Sequence, residues 1–319
     1  MSPTSIFAPA STPAQSVFDL SIFVLLTCAA IFTAVFALLV YAVVRFRSKR
    51  GDDRTEPAQI YGSTQVELAW TVIPILIVIA LALASARVIA SVQDAPRPHG
   101  ALEVIVTGHQ YWWEYRYPSL NIVTANELHV PLSDPAHPTP TFLTLLSADT
   151  DHSFWVPRLA GKTDLIPNHP NSMWIDPHEP GLFLGQCAQY CGVQHGKMLQ
   201  RVYVQPRAEF DRWVHDQQQL PHVGAQSSAL SNGERVFESI ACVNCHTVSG
   251  TPAKGRFGPD LTHLMSRDTI ASGAVANTHQ TLRLWIKNPD AIKPGSKMPA
   301  MGLSDQDLDA VTAYLESLR

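Results

Sequence analysis

The first ninety positions of the chain contain two long runs of uncharged, mostly apolar residues. Residues 21–44 carry no charged side chain over 24 positions, and residues 68–86 carry none over 19. A helix of about 20 apolar residues spans the hydrocarbon core of a membrane. A buried core helix can also be apolar, but two such runs close together favour membrane helices. The pattern predicts a transmembrane hairpin within residues 1–98, with helices over about 17–45 and 67–92.

The segment between these runs is basic, whereas residues 1–20 contain neither lysine nor arginine. Its positive side chains are Arg45, Arg47, Lys49, Arg50 and Arg54. Because basic loops stay in the cytoplasm, the hairpin turn is predicted inside and both chain ends outside. The first run lacks a basic leader and is longer than the apolar part of a signal peptide, which favours an uncleaved helix.

After the second run the pattern changes to short apolar or alternating stretches separated by Pro, Asn, Asp and Gly. They are residues 102–106, 111–117, 141–146, 182–185 and 200–204. This spacing is typical of an all-β sandwich, predicted here over residues 99–219 and ending in a helix at 206–219. A polar segment, 220–231, predicts a linker. Residues 232–319 show helical spacing, with a helix start at Ser304, and predict an all-α domain.

Composition is that of an ordinary chain, with 46% hydrophobic and 16% charged residues and a net charge of −4. No basic field is present, so nucleic acid is not an expected partner. Four of the five cysteines form two close pairs with a histidine near each pair. That arrangement indicates cofactor attachment rather than a disulfide framework.

The first pair lies in the loop Cys187-Ala-Gln-Tyr-Cys191-Gly-Val-Gln-His195-Gly-Lys-Met198, and His152 precedes it in a separate segment. Two thiolates, two imidazoles and a thioether form a soft donor set that suits copper. Two cysteines in one site also allow both sulfurs to bridge two metal ions. A Cys-x3-Cys with a nearby histidine can hold zinc, which is the alternative from the residues alone.

The second pair, Cys242-Val-Asn-Cys245-His246, is the attachment pattern of c-type heme. A bare Cys-x-x-Cys could instead be a redox disulfide or half of a zinc site. Two later segments favour heme, because Phe257-Gly-Pro-Asp-Leu261 and Met298-Pro299 are arranged as in class I cytochromes c, which they resemble. In that family such a Met-Pro supplies the second axial ligand.

Three methionines of the last domain compete for this axial role, and Met298 is our choice. Met301 and Met265 are expected to pack in the interior. His279 and Trp285 are candidates for the heme edge. The other unassigned histidines, His263 among them, have no ligand-like spacing and are expected at the surface or in turns.

The cysteine loop resembles the CuA loop of cytochrome c oxidase subunit II. The resemblance implies a pair of copper ions whose side-chain ligands are His152, Cys187, Cys191, His195 and Met198. It also implies a main-chain carbonyl ligand at Gln189. The family usually has a glutamate there that helps to bind magnesium. An amide brings no charge, which puts a magnesium ion in question for this chain.

Two further stretches resemble the same family. The aromatic run Tyr111, Trp112 and Trp113 matches the strand through which the family receives electrons, although the family usually has Trp at the first position. An ordinary aromatic strand face is the alternative. Glu67 matches a family glutamate proposed for a proton-uptake path, and the alternative is a solvated charge favoured at a helix start.

The resemblance covers residues 15–319 and implies a multidomain chain: a two-helix transmembrane hairpin, an all-β cupredoxin sandwich and an all-α class I cytochrome c domain. It implies the electron-input subunit of a respiratory heme-copper oxidase, carrying electrons from an external cytochrome or other donor through heme c and CuA to subunit I. The catalytic oxygen site belongs to that partner. Subunit III, membrane lipid and a bacterial inner membrane, with the soluble domains on the periplasmic side, are implied too.

Two other functions fit the same residues. One is the CuA subunit of a nitric oxide reductase, and the other is a stand-alone membrane redox or copper-binding protein. The sequence does not identify the natural electron donor or the heme types of subunit I. Quinol-oxidase subunits lack the copper ligands, so the two cysteines at positions 187 and 191 argue against that class.

Overall fold

The computed structural model describes residues 4–47, 59, 61–93, 97–134, 136–221 and 228–319. Part of the predicted basic turn (Lys49, Arg50 and Arg54) and the central part of the predicted linker, 222–227, lie outside the described residues. Residues 16–95 form one compact unit, and residues 1–15 with 96–319 form a second.

The first unit consists of two long helices, α1 (Thr12–Arg45) and α2 (Thr64–Gln93). Both are long and apolar enough to cross a membrane, by length and composition. Helix α1 begins five residues before the predicted start, because Pro13 occupies its first turn, where the missing N–H costs nothing. Pro74 lies inside α2, a position that membrane helices tolerate.

The second unit begins with a β sandwich. Its longer strands are β1 (Leu102–His109), β2 (Trp112–Tyr117), β3 (Ile122–Ala125), β4 (Glu127–Pro131), β5 (Thr141–Ser147), β8 (Asn171–Ile175), β9 (Gly181–Gln186) and β10 (Leu199–Gln205). A short hairpin of β6 (His152–Phe154) and β7 (Thr163–Leu165) lies between them. Helix α3 (Arg207–Gln218) follows the last strand. The predicted all-β domain with its terminal helix is confirmed.

The sandwich has two sheets, ordered β3-β2-β1-β5-β8 and β4-β10-β9. Strand β1 pairs antiparallel with β2 and parallel with β5, whereas β10 pairs parallel with β4 and antiparallel with β9. Alternate side chains of β10 are buried, as expected for a strand with one face on a core. The core joins aliphatic side chains to Trp113, Tyr115 and Tyr117, none of which is exposed.

The last ninety residues form the predicted helical domain. Its helices are α4 (Ser228–Ser239), α5 (Cys242–Cys245), α6 (His279–Lys287) and α7 (Asp305–Glu316), with a two-stranded ribbon of β11 (Thr269–Ile270) and β12 (Val275–Ala276). Helix α4 packs closely on α7 at Gly233, because glycine has no Cβ. A Cβ atom there would collide with the Ala310 carbonyl. Ser304 caps α7 by accepting a hydrogen bond from the Asp307 N–H, as its sequence predicted.

His129 of β4 is stacked between the rings of Tyr203 and Trp213. Burial lowers the pKa of His129 from 6.5 to about 4, although its hydrogen bond to Gln205 opposes the shift. The unfolded chain therefore binds a proton at a higher pH than the folded chain does. The contribution of His129 to stability is therefore fully present above pH 6.5 and is lost as pH falls toward 4.

We therefore expect His129→Phe to reduce the difference in unfolding free energy between pH 7 and pH 5 by about 2 kcal/mol. Urea unfolding of the cofactor-loaded chain at both pH values measures this difference. His137→Phe is the matched control, because the His137 side chain is 88% exposed. An unchanged pH difference in His129→Phe would show that His129 does not carry the effect.

Candidate metal and heme sites

Five side chains from separate parts of the sandwich meet at one end of it. Strand β6 supplies His152, the loop after β9 supplies Cys187 and Cys191, and a 3-10 turn, His195–Lys197, supplies His195. Met198 follows directly, before β10 begins. The cysteines, His152 and Met198 are at most 3% exposed. The fold thus gathers a soft donor set in a largely buried pocket.

The donor atoms of this pocket, which we call the sulfur cluster, are arranged around the two cysteines. The Cys187 and Cys191 sulfurs are 3.8 Å apart. Cys187 Sγ lies 3.9 Å from His152 Nδ1, and Cys191 Sγ lies 3.8 Å from His195 Nδ1. Met198 Sδ is 3.9 Å from Cys191 Sγ, while the Gln189 carbonyl oxygen is 3.1 Å from Cys187 Sγ. Each sulfur therefore has its own imidazole and one further donor.

The Asp149 carboxylate fixes the orientation of the His152 ring. Its Nε2 lies 2.8 Å from Asp149 Oδ1, which leaves Nδ1 facing Cys187. The other carboxylate oxygen of Asp149 accepts a hydrogen bond from the Gln110 N–H at 2.6 Å. Metal-binding histidines commonly have such a carboxylate partner, because it sets the ring orientation and makes the free nitrogen more basic.

The charge of the sulfur cluster supports metal binding. The hydrogen bond with Cys191 lowers the pKa of Cys187 well below its usual value, although burial opposes this, and His152 adds to the lowering. The same interaction, together with burial, raises the pKa of Cys191 well above its usual value. Two adjacent buried thiolates are therefore stable only with a positive charge between them. Copper ions provide that charge and prefer these donors, so the residues fit the metal.

The second cysteine pair lies at an open cavity of the helical domain. Helix α5 carries Cys242 and Cys245, and His246 follows it directly. His246 Nδ1 lies 2.7 Å from the Pro259 carbonyl oxygen, so Nδ1 donates and Nε2 keeps its lone pair. Burial lowers the pKa of His246 and favours this neutral form. A Cβ at Gly258 would lie 2.6 Å from the ring, so the close approach requires glycine.

The cavity lining fits a large apolar cofactor with acidic groups. Apolar side chains include Leu282, Trp285 and Ile286. Arg267 also lines the cavity and is 7% exposed, and its Nε lacks a hydrogen-bond partner among the described residues. A buried cation with an unused donor suits a heme carboxylate. Sequence reasoning missed Arg267, because a lone arginine gives no pattern.

Only some of the candidate heme residues line the cavity. Met298 and Met301 both line it, whereas Met265 packs against the domain core. Of the two candidates for the heme edge, Trp285 lines the cavity and His279 does not. The His279 ring instead lies 3.0 Å from a Glu316 carboxylate oxygen. His263, expected at the surface or in a turn, is 6% exposed at the start of a 3-10 turn.

Family models match all three parts of the chain. The transmembrane domain of cytochrome c oxidase subunit II matches residues 3–88, its periplasmic domain matches 135–204, and cytochrome c matches 230–319. Cytochrome c oxidase subunit 2 of Alkalihalophilus pseudofirmus is 34% identical over 98% of this chain and 90% of that protein. This chain belongs to the cytochrome c oxidase subunit II family. The subunit 2 of Bacillus sp. strain PS3 is 32% identical over 86% of the chain and 80% of its own length.

Among solved structures, the periplasmic domain of subunit II of cytochrome oxidase of Bradyrhizobium japonicum is 27% identical, with a TM-score of 0.36. It covers 39% of this chain and 97% of that domain.

Membership of the subunit II family confirms the main predictions about function. The chain is a membrane-anchored subunit of a heme-copper oxidase and sits in a complex with subunit I. It takes part in an oxidoreductase reaction whose oxygen chemistry belongs to the partner. The cytochrome c domain implies heme c, and the subunit II domain implies copper.

The aromatic run of this subunit II lies between the two candidate sites. Tyr111 and Trp112 line the cavity beside His246, and Trp112 stacks on His109 with ring centroids 4.2 Å apart. Trp113 is not exposed and meets the His152 ring edge-on at 6.0 Å. In the helical hairpin, Glu67 occupies the first turn of α2.

Proposed function

We propose that the sulfur cluster holds a binuclear CuA centre, with His152, Cys187, Cys191, His195, Met198 and the Gln189 carbonyl as ligands. The observation that carries this proposal is that each sulfur has a separate imidazole within 3.9 Å. Gln189 is exposed and uncharged, so no magnesium ion is proposed beside it.

The geometry favours two metal ions over one zinc ion. In the described part of the chain, the donor atoms that all lie within 4.8 Å of one another belong to His152, Cys187 and Cys191. His195 lies near Cys191 and is not in that group. Four ligands at about 2.0–2.3 Å from a single tetrahedral ion would all lie within about 4 Å of one another. Zinc is therefore the poorer fit.

In the helical domain, we propose thioether attachment of heme c at Cys242 and Cys245, with His246 and Met298 as axial ligands. Bound copper and heme supply one-electron redox chemistry, and His/Met ligation raises the heme potential. The chain orients His246 through the Pro259 carbonyl, excludes water with apolar cavity walls and offers Arg267 to a heme carboxylate.

The proposed arrangement in the cell follows from the charge pattern. Arg45 and Arg47 at the end of α1 belong to the basic turn, which suits the cytoplasmic side of a bacterial inner membrane. The cupredoxin domain (99–219) and the cytochrome domain, which was predicted from 232 but begins with α4 at Ser228, would then face the periplasm. Subunit III and an external cytochrome or other electron donor complete the proposed partners.

Two finer roles are part of the proposal. Tyr111, Trp112 and Trp113 are the proposed electron-uptake residues of the cupredoxin domain. The position of Tyr111 and Trp112 at the heme cavity, and of Trp113 against His152, supports this. Glu67 is the proposed residue of a proton path at the start of α2.

Metal analysis of the purified full-length subunit tests the proposed centres. We expect two copper ions and one covalent heme per chain, with an EPR signal in which one unpaired electron is shared by two copper nuclei. Such sharing would follow if the Cys187 and Cys191 sulfurs held both copper ions together. A single copper or a stoichiometric zinc would contradict the CuA proposal, and heme removable by acid and organic solvent would contradict the thioether attachment.

A further inference from the structure

The two ligand-bearing loops of this chain are hydrogen-bonded to each other. Residues 292–295 precede Met298 in the cytochrome domain, and residues 193–197 lie between Cys191 and Met198 in the cupredoxin domain. Gln194 Nε2 donates to the Pro294 carbonyl at 2.6 Å, and Lys197 Nζ donates to the Ile292 carbonyl at 2.7 Å. The copper loop therefore holds the carbonyls on both sides of Lys293.

Lys293 makes the reciprocal contact. It is 3% exposed, and its Nζ donates to the Tyr111 carbonyl at 2.8 Å and to the Ala271 carbonyl at 3.2 Å. One amino group thus joins the loop before Met298, the turn after β11 and the aromatic strand of the other domain. Lysine is almost never this deeply buried unless its donors are satisfied.

The contacts of Lys293 do not depend on its charge. Burial lowers the pKa of Lys293 to about 7, and the nearby Lys197 adds to this, whereas Cys191 opposes it. A neutral amine keeps two N–H donors, so both carbonyls remain bonded in either protonation state. Substitution by a side chain without donors would leave two buried carbonyl oxygens unsatisfied.

A second buried contact joins the two domains at the ribbon of β11 and β12. Glu127 of β4 is 2% exposed and accepts hydrogen bonds from the N–H groups of Asp268 and Thr269 and from the Thr269 hydroxyl, at 3.1, 3.0 and 2.7 Å. Its partner Arg201 lies 3.5 Å away. The interface is thus built from buried, specific polar contacts, which define one relative position of the two domains.

We propose that Lys293 is a positioning residue for electron transfer inside this chain. It fixes the Met298 loop against Tyr111 and the copper loop, and so sets the separation between heme and copper. This inference rests on the proposed function, because it requires both centres. In the step concerned, one electron leaves ferrous heme and reduces the oxidised copper pair, and no bond or proton changes place.

The test compares Lys293→Met with Lys287→Met in the purified, cofactor-loaded oxidase. Lys287 is the matched control, since it lies in the same domain with its side chain 54% exposed and paired with Asp305. A photoactivated ruthenium complex injects one electron into the heme, and absorbance follows its passage to copper. Hydrogen–deuterium exchange of the peptides covering 108–113 and 292–298 measures docking independently.

We expect Lys293→Met to slow the transfer severalfold, because the rate of electron transfer falls steeply as the separation between the two centres grows. Exchange of both peptides should rise, heme should stay more reduced during turnover, and the optical spectra of both centres should be unchanged. Lys287→Met should match the wild type. Wild-type transfer in Lys293→Met with intact spectra overturns the proposal, even if exchange rises.

Two further outcomes are informative. If Lys293→Met fails to fold, the wild-type chain still tests the inference: docking through buried groups predicts transfer and exchange that do not change with ionic strength. Loss of exchange protection at high salt would overturn it. Failure of the proposed function would look different, because the wild-type chain itself would then lack the copper or heme signals.

Discussion

Replacing Cys187 with serine should remove copper from the chain and stop electron delivery to subunit I, while the covalent heme stays attached and reducible. A serine hydroxyl is a hard, protonated donor that cannot replace a bridging thiolate. The remaining Cys191 lies 3.8 Å from the substituted position and would lose the shared charge that the metal neutralises. The sulfur cluster would then no longer favour two copper ions.

The expected loss of turnover in Cys187→Ser is more than about 100-fold, because loss of a group that merely supports a metal ligand already costs 10–100-fold. Oxygen consumption, copper content and the reduced heme spectrum are measured on the same preparation. Cys28→Ser is the matched control, since Cys28 is an exposed thiol of α1 and belongs to neither site. Copper retention with wild-type turnover in Cys187→Ser would refute the assignment.

The second large effect is expected for Met298→Leu. The heme should remain bound through Cys242 and Cys245 but lose the low-spin His/Met spectrum, and its reduction potential should fall. Thioether ligation stabilises ferrous iron, and leucine offers no donor to replace it. Turnover should fall because electrons would reach the heme less readily from a donor of unchanged potential.

Met301→Leu is the control that distinguishes an axial ligand from a residue that only lines the cavity. Both side chains line the cavity, so the lining alone does not assign the ligand. Met301→Leu should keep the His/Met spectrum and potential within the range of the wild type. A lost spectrum in Met301→Leu, with a normal one in Met298→Leu, would transfer the axial role to Met301.

Much of the fold could be predicted from sequence, because its signals are local. Two uncharged runs determine the hairpin, and alternation reveals β1, β2, β5, β9 and β10. Strands such as β6 and β7, of three residues each, are too short to show a period. The start of α1 was also missed, since Thr12 and Pro13 are not part of the apolar run.

The candidate copper residues were predictable for the same reason, as five of the six lie in one loop of twelve positions. Arg267 and Lys293 could not be predicted, because their roles depend on contacts between distant segments. Lys293 meets Tyr111 across 182 positions of the chain. His279 was a candidate for the heme edge, but its ring lies 3.0 Å from a Glu316 carboxylate oxygen instead.

The heme cavity is not enclosed by the cytochrome domain alone. Gln110, Tyr111, Trp112 and Asn126 of the cupredoxin domain complete its lining. The cytochrome domain alone therefore does not form the complete heme cavity. Excised and grafted onto another protein, it would leave one side of its heme facing water, and its reduction potential would shift with that hydration.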